Sequence, residues 1–106
     1  MTSKKLPRDK RSTLPRASDY AKSFRKDWDR LTHSGRYDMQ RLKQLMLLLI
    51  ANDAPPGPEW LDHPLKGEWA DHRECHIGGD FLLIYQTEGV FINFVRTGSH
   101  ADLFED

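Results

Sequence analysis

Apolar residues recur along this chain with two different periods. Tyr20, Phe24, Trp28 and Leu31 are spaced by four, four and three, which puts an aromatic stripe on one face of a helix. Ser18 or Asp19 is a suitable N-cap, and Ser34-Gly35 ends the helix after His33. Asp38 can cap a second helix whose core face is Met39, Leu42, Leu45, Met46, Leu49 and Ile50, with Leu47 and Leu48 broadening it. The short link between them makes an antiparallel pair. Asn52 to Pro58, with three prolines and a glycine, is a loop. Beyond it the period changes to two. Trp69–Ile77, Asp80–Gln86 and Val90–Thr97 read as strands, with Gly78-Gly79 and Glu88-Gly89 at hairpin spacing. The middle strand is apolar on both faces and therefore central. Ser12–Ala17 reads as a short first strand, confined to an edge by Pro15. The fold class is α+β: a small antiparallel sheet in the order β-α-α-β-β-β, with a helical hairpin packed on one face.

Composition narrows this to one domain over residues 12–106, preceded by a basic tail at 1–11 too polar to bury a core. A single cysteine, Cys75, allows no internal disulfide and fits a reducing cytoplasm. The N-terminus lacks the apolar stretch of a secretory signal, and the longest apolar run, 45–51, is too short to span a bilayer. The formal net charge of zero conceals an asymmetry. Residues 1–43 hold 13 Lys and Arg against 5 acids, or +8; residues 44–106 hold 3 against 11, or −8. The basic half suits either a polyanion or plain solvated helix faces.

The candidate chemistry collects where the strands end. His100 follows the last strand across Thr97-Gly98-Ser99, and its ordinary pKa suits general acid or base work; a helix cap or surface histidine reads equally well there. His63 precedes Pro64 and is held extended. His76 and Asp80 flank the first hairpin turn and should be neighbours, although Asp at such a turn often bonds its own backbone. Arg96, the only Lys or Arg after Arg73, can hold phosphate charge or pair with a nearby acid. Arg73 reads as an ion-pair partner of Glu74 or Asp71. His72, Cys75 and His76 lack the spacing of a metal site, so no metal or cofactor is expected, and Cys75 reads as a buried apolar residue.

Asp62-His63-Pro64-Leu65-x-Gly67-x-Trp69, Arg73-x-x-His76, Asp80-x-x-Leu83-Ile84-Tyr85 and Arg96-Thr97-Gly98-Ser99-His100-x-x-Leu103-Phe104 follow one another over some forty residues. This series resembles the YafQ-like branch of the RelE/ParE toxin superfamily, from Ser12 to Phe104. The resemblance implies a RelE-like fold and the toxin of a type II toxin–antitoxin system. It implies ribosome-dependent, metal-free mRNA cleavage by the substrate's own 2′-hydroxyl, leaving a cyclic phosphate and a 5′-hydroxyl. The family's functional positions fall on His63, His76, Asp80, Arg96, His100 and Phe104. His100 would be the principal proton-transfer group, Arg96 would stabilise phosphate charge, and Phe104 would stack on a base. The implied partners are a cognate antitoxin and the 70S ribosome with its mRNA, in the cytoplasm and without a membrane. Lys22, Arg25, Lys26 and Arg30 would face the rRNA. Two alternatives use the same residues differently. One is a non-catalytic interaction module on this fold; the other is a general basic nucleic-acid-binding domain.

Overall fold

The computed structural model describes residues 14–51 and 56–104. The basic segment 1–11, residues 12–13 of the expected first strand, and residues 52–55 of the proline-rich loop lie outside the described residues. The elements in chain order are β1 (Ala17–Tyr20), α1 (Lys22–Ser34), α2 (Met39–Ile50), β2 (His63–Pro64), β3 (Arg73–Gly78), β4 (Phe81–Glu88), β5 (Phe91–Gly98) and α3 (His100–Phe104). Single 3₁₀ turns occupy Pro58–Trp60 and Gly67–Trp69.

The helices begin and end for local reasons. Asp38 accepts the Arg41 N–H at 3.0 Å and caps α2. Gly35, at φ 69°, supplies the left-handed residue that closes α1. The stripe on α2 is the expected one, though Leu47 faces solvent at 65% exposure. The start of α1 is later than the spacing predicted. Its N-cap is Ala21, without a side-chain bond, and neither Ser18 nor Asp19 caps it. Tyr20 belongs to β1; its ring reaches the stripe from outside the helix, 5.7 Å from Phe24 and 6.0 Å from Phe94. The first strand likewise starts after Pro15. Arg16 and Ala17 donate backbone N–H bonds to Ile50 and Val90, which a proline could not do.

The sheet has the order β1-β5-β4-β3-β2. β4 is central, as its two apolar faces required. The β2–β3, β3–β4 and β4–β5 pairs are antiparallel, while β1 runs parallel to β5. Phe81, Leu83 and Tyr85 point to the helix side and join Phe24, Leu31, Leu42, Leu45, Leu49, Ile77, Ile92 and Phe94 in the main core. Trp60, from the loop side of the chain, fills that core as well, with the Arg41 guanidinium 4.2 Å from its ring centre. Leu82 and Ile84 point the other way and pack with Leu103, leaving a shallower apolar floor edged by Leu65, Trp69 and Phe104.

Two irregularities shape that second face. β1 pairs with β5 only from Phe91 to Phe94, so the next residues of β5 have no strand beside them. Helix α1 supplies the missing partners: Ser23 Oγ donates to the Val95 carbonyl at 2.7 Å, and Asp27 accepts the Thr97 N–H at 3.0 Å. The pair sits at i and i+4, one above the other on the helix. In addition, the β4–β5 register shifts between Ile84 and Tyr85, whose partners are Arg96 and Phe94. Val95 is thus an extra residue, and the bulge turns Arg96 onto the face opposite Phe94.

Candidate active site

The second face carries a row of rings. Centroids of His63 and His76 are 5.8 Å apart, those of His76 and His100 6.1 Å, and those of His100 and Phe104 6.1 Å. Trp69 continues the row, edge-on to Phe104 at 6.3 Å. The order follows from register. His63 lies opposite Glu74 across the β2–β3 pair, and His76 is two residues beyond Glu74, hence on the same face. His76 pairs with Leu82, beside which Gly98 ends β5, so α3 brings His100 and Phe104 in from the next strand.

α3 is only five residues, yet its start is tightly specified. Ser99 Oγ accepts the Asp102 N–H at 3.1 Å, and Asp102 accepts the Ser99 N–H at 3.2 Å, a reciprocal capping box. Gly98 sits at φ 150°, and a Cβ there would lie 2.9 Å from the Asp102 carboxylate. Only glycine lets the strand turn into this cap. Burial alone would raise the Asp102 carboxyl, but the Ser99 N–H and the Arg30 guanidinium bring it below the usual range.

Asp80 pairs with His100 and not with His76, the partner the hairpin geometry suggested. It accepts the His100 backbone N–H at 3.0 Å and bonds His100 Nδ1 as well. The backbone N–H contributes most to holding its carboxyl below the usual range, followed by the imidazole. The partner of His76 is Glu74, at 3.2 Å from Nε2; the same Oε2 lies 3.4 Å from His63 Nε2. Glu74 is 4% exposed, and the sequence offered it only as a partner of Arg73. Its position two residues before His76 on a strand was the available signal.

Arg96 meets the ion-pair reading of the sequence. Its Nε and Nη2 donate to the Asp27 carboxylate at 2.7 and 3.1 Å, so the guanidinium is an ion-pair partner fixed at the edge of the histidine row. Arg30 is tied down too, to Asp27 at 3.1 Å and to Asp102 at 3.3 Å. Lys22, Arg25 and Lys26 are exposed on α1. They line, with Tyr20 and Asp29, a cleft around the sheet edge from the histidines.

Arg73 pairs with neither Glu74 nor Asp71. It forks onto Asp62 with contacts of 2.9–3.3 Å, and Tyr85 donates its hydroxyl to the same carboxylate at 2.6 Å. This part-buried network anchors the Asp62-His63 segment. Cys75 is fully buried, and burial pushes its thiol far above its ordinary value, which leaves it unreactive as expected. His72 lies outside β3 and stands edge-on to Trp69, away from His76. The group with metal-ligand geometry is instead His63, Glu74 and His76. A cleft of about 440 Å³ opens beside Asp80, lined by Arg36, Tyr37, Arg41 and Ser99. A second of similar size, between Tyr20, Trp28 and Met46, lies on the helix side and touches none of the histidine row.

The family model described as "Bacterial toxin of type II toxin-antitoxin system, YafQ" matches residues 16–105. The mRNA interferase toxin YafQ of Escherichia coli K12 is 40% identical over 91 residues, covering 86% of this chain and 98% of that protein. The crystal structure of YafQ from E. coli BL21(DE3) superposes with a TM-score of 0.79 at 39% identity, over 84% of this chain and 98% of the other. YafQ in the E. coli DinJ-YafQ complex gives 0.77 at 40% identity, with the same coverage.

Proposed function

The chain belongs to the YafQ family of bacterial type II toxin–antitoxin toxins and is an mRNA interferase, an endoribonuclease; we propose that it cuts ribosome-bound mRNA by attack of the substrate's own 2′-hydroxyl, with the histidine row as acid and base. As the toxin of such a pair it has an antitoxin partner, in keeping with the DinJ-YafQ complex. Among the described residues no helix is long and apolar enough to cross a membrane.

The observation that carries the mechanism is the Asp80–His100 pair beside the His63–Glu74–His76 group. In-line transesterification of RNA needs a base for the 2′-hydroxyl, an acid for the leaving 5′-oxygen, and positive charge at the phosphorane. With Asp80 on Nδ1, His100 keeps Nε2 for the substrate proton, the tautomer being set by the carboxylate. His76, its ring oriented by Glu74, takes the complementary proton-transfer role, and His63 supports it from the other side of Glu74. Arg96 places its charge at the same edge. Its Nη1, which makes neither of the Asp27 bonds, is the atom for a phosphate oxygen. Phe104, next to His100 and braced by Trp69, offers a face for a base, a contact of about 1–3 kcal/mol. Lys22, Arg25 and Lys26 on α1 face the rRNA; Arg30 contributes to the field but is already paired.

The reaction class is tested by adding the purified chain to ribosomes programmed with a defined mRNA and mapping both ends of every cut. The expected products carry a 2′,3′-cyclic phosphate and a 5′-hydroxyl. Growth arrest with intact mRNA would instead support a non-catalytic interaction module. Salt-sensitive binding to naked RNA without cleavage would support a general nucleic-acid-binding domain.

A further inference from the structure

We propose that the cleft beside Asp80 is a substrate subsite, which holds the phosphate and base of an mRNA nucleotide flanking the scissile bond, with Arg36 on the phosphate and Tyr37 on the base. The inference deepens the cleavage reading above and rests on it for the passage of mRNA over His100.

The cleft opens between the helical pair and the strand ends. The α1–α2 link supplies Arg36 and Tyr37, α2 supplies Arg41, the β3–β4 turn supplies Asp80, and Ser99 closes it from the start of α3. Its last two residues join it to the proposed chemistry, since Asp80 bonds the His100 imidazole and Ser99 directly precedes His100. Phe104 does not line it, so the cleft and the Phe104 face take different nucleotides. Its volume of about 440 Å³ falls in the range of small-molecule sites and has room for one nucleotide. Among the described residues Arg30, Arg73 and Arg96 are each tied to a carboxylate, whereas Arg36 and Arg41 have no acid partner. Arg41 is nevertheless fixed, its Nε donating to the Ile77 carbonyl and its guanidinium 4.2 Å from the Trp60 ring centre. Arg36 is exposed on the wall. The two carboxylates of the wall are already engaged: Asp38 accepts the Arg41 N–H as the cap of α2, and Asp80 holds His100. The charge left to a ligand is therefore positive, and a guanidinium fork matches a phosphate. Tyr37 supplies the other half of a nucleotide site. Its ring packs 4.9 Å from that of Phe81, which is buried in the core, so a partly exposed aromatic face is held still for a base. An acidic peptide would meet the arginines as well, but the wall shared with His100 and the braced ring favour RNA.

The test measures the affinity of the labelled full chain for ribosomes programmed with an mRNA whose attacking 2′-oxygen is methylated, so that no cleavage intervenes. Nucleotides on either side of the cut are replaced one at a time by an abasic residue or a methylphosphonate, which removes the base or the phosphate charge. On the unsubstituted mRNA, Arg36→Gln should weaken binding about tenfold. Tyr37→Leu, which keeps an apolar side chain against Phe81, should weaken it about fivefold. At one flanking position the methylphosphonate should cancel the Arg36 effect and the abasic residue the Tyr37 effect, the non-additivity of groups in contact. Lys43→Gln, exposed on α2 outside the cleft, should leave binding unchanged. Parental affinity in both cleft variants, or additive losses at every position, overturns the subsite. An equal loss on ribosomes without mRNA overturns it in favour of an rRNA contact, and a loss of antitoxin binding alone overturns it in favour of an antitoxin contact. A parent chain that leaves unmethylated mRNA intact refutes the cleavage reading instead, and the affinities still decide the cleft.

Discussion

At the scale of single residues, the site depends on which carboxylate meets which histidine. Turn chemistry read Asp80 and His76 as neighbours across the hairpin turn, and the structure gives each a different partner. Asp80 reaches across to the residue that starts α3, while Glu74, which the sequence offered only to Arg73, takes His76. Long-range register decides the Asp80 pairing, whereas the Glu74–His76 pair follows from the two-residue period of a strand. His63, His76, His100, Asp80, Arg96 and Phe104 were all singled out because their types and strand-end positions matched a known series. Glu74, Asp27 and Asp62 were not, since a lone acid on a strand or helix looks like any solvated one. The Asp80 pairing has a defined pH sense. Its folded carboxyl lies below the ordinary value, so its contribution is present above the ordinary carboxylate range and is lost as pH falls through the lower folded value. Between about pH 5 and pH 3 the parent should lose slightly more stability to urea than Asp80→Asn. An identical loss in both would mean that the contact contributes nothing. At neutral pH the same substitution should slow cleavage less than loss of His100 does, because Asp80 orients the ring and does not itself exchange the proton.

At the scale of elements, two features that periodicity could not supply position Arg96. The bulge at Val95 aims it at the histidine face, and α1, standing in for a strand, holds it through Asp27. The sequence showed that the first strand was short and lay at an edge. It did not show that this strand runs parallel or that a helix completes the edge, because both depend on how far β1 extends along β5. Asp27 satisfies Arg96, Arg30 and the Thr97 N–H together, and it is 4% exposed. Asp27→Ala should therefore cost roughly 2–3 kcal/mol, less than a fully buried pair because Arg96 is partly solvated. Urea unfolding measures this directly. A loss under about 0.5 kcal/mol, the range of ordinary surface substitutions, would show that the edge is not held by this residue.

At the scale of the whole molecule, the central sheet divides the labour. Its helix side holds the main core and the basic stripe, and its other side holds the acid–base row. Arg30 joins the two by reaching from α1 to Asp102 of α3. Asp102 is thereby both paired with Arg30 and engaged in the cap of α3. Lys22→Gln, Arg25→Gln and Lys26→Gln together should weaken ribosome binding and reduce the salt slope by up to about 3, with little change in stability. An unchanged slope would move the rRNA contact elsewhere. In the proposed mechanism cleavage depends on His100 as a proton-transfer group set by Asp80. The most direct test is single-turnover cleavage of ribosome-bound mRNA by His100→Gln, a variant that keeps size and hydrogen bonding but cannot exchange a proton near neutrality. The variant should fold and bind its antitoxin and ribosomes as the parent does, and cut about 10²–10⁴ times more slowly. Cleavage within a few-fold of the parent, at about the same pH, would contradict the mechanism.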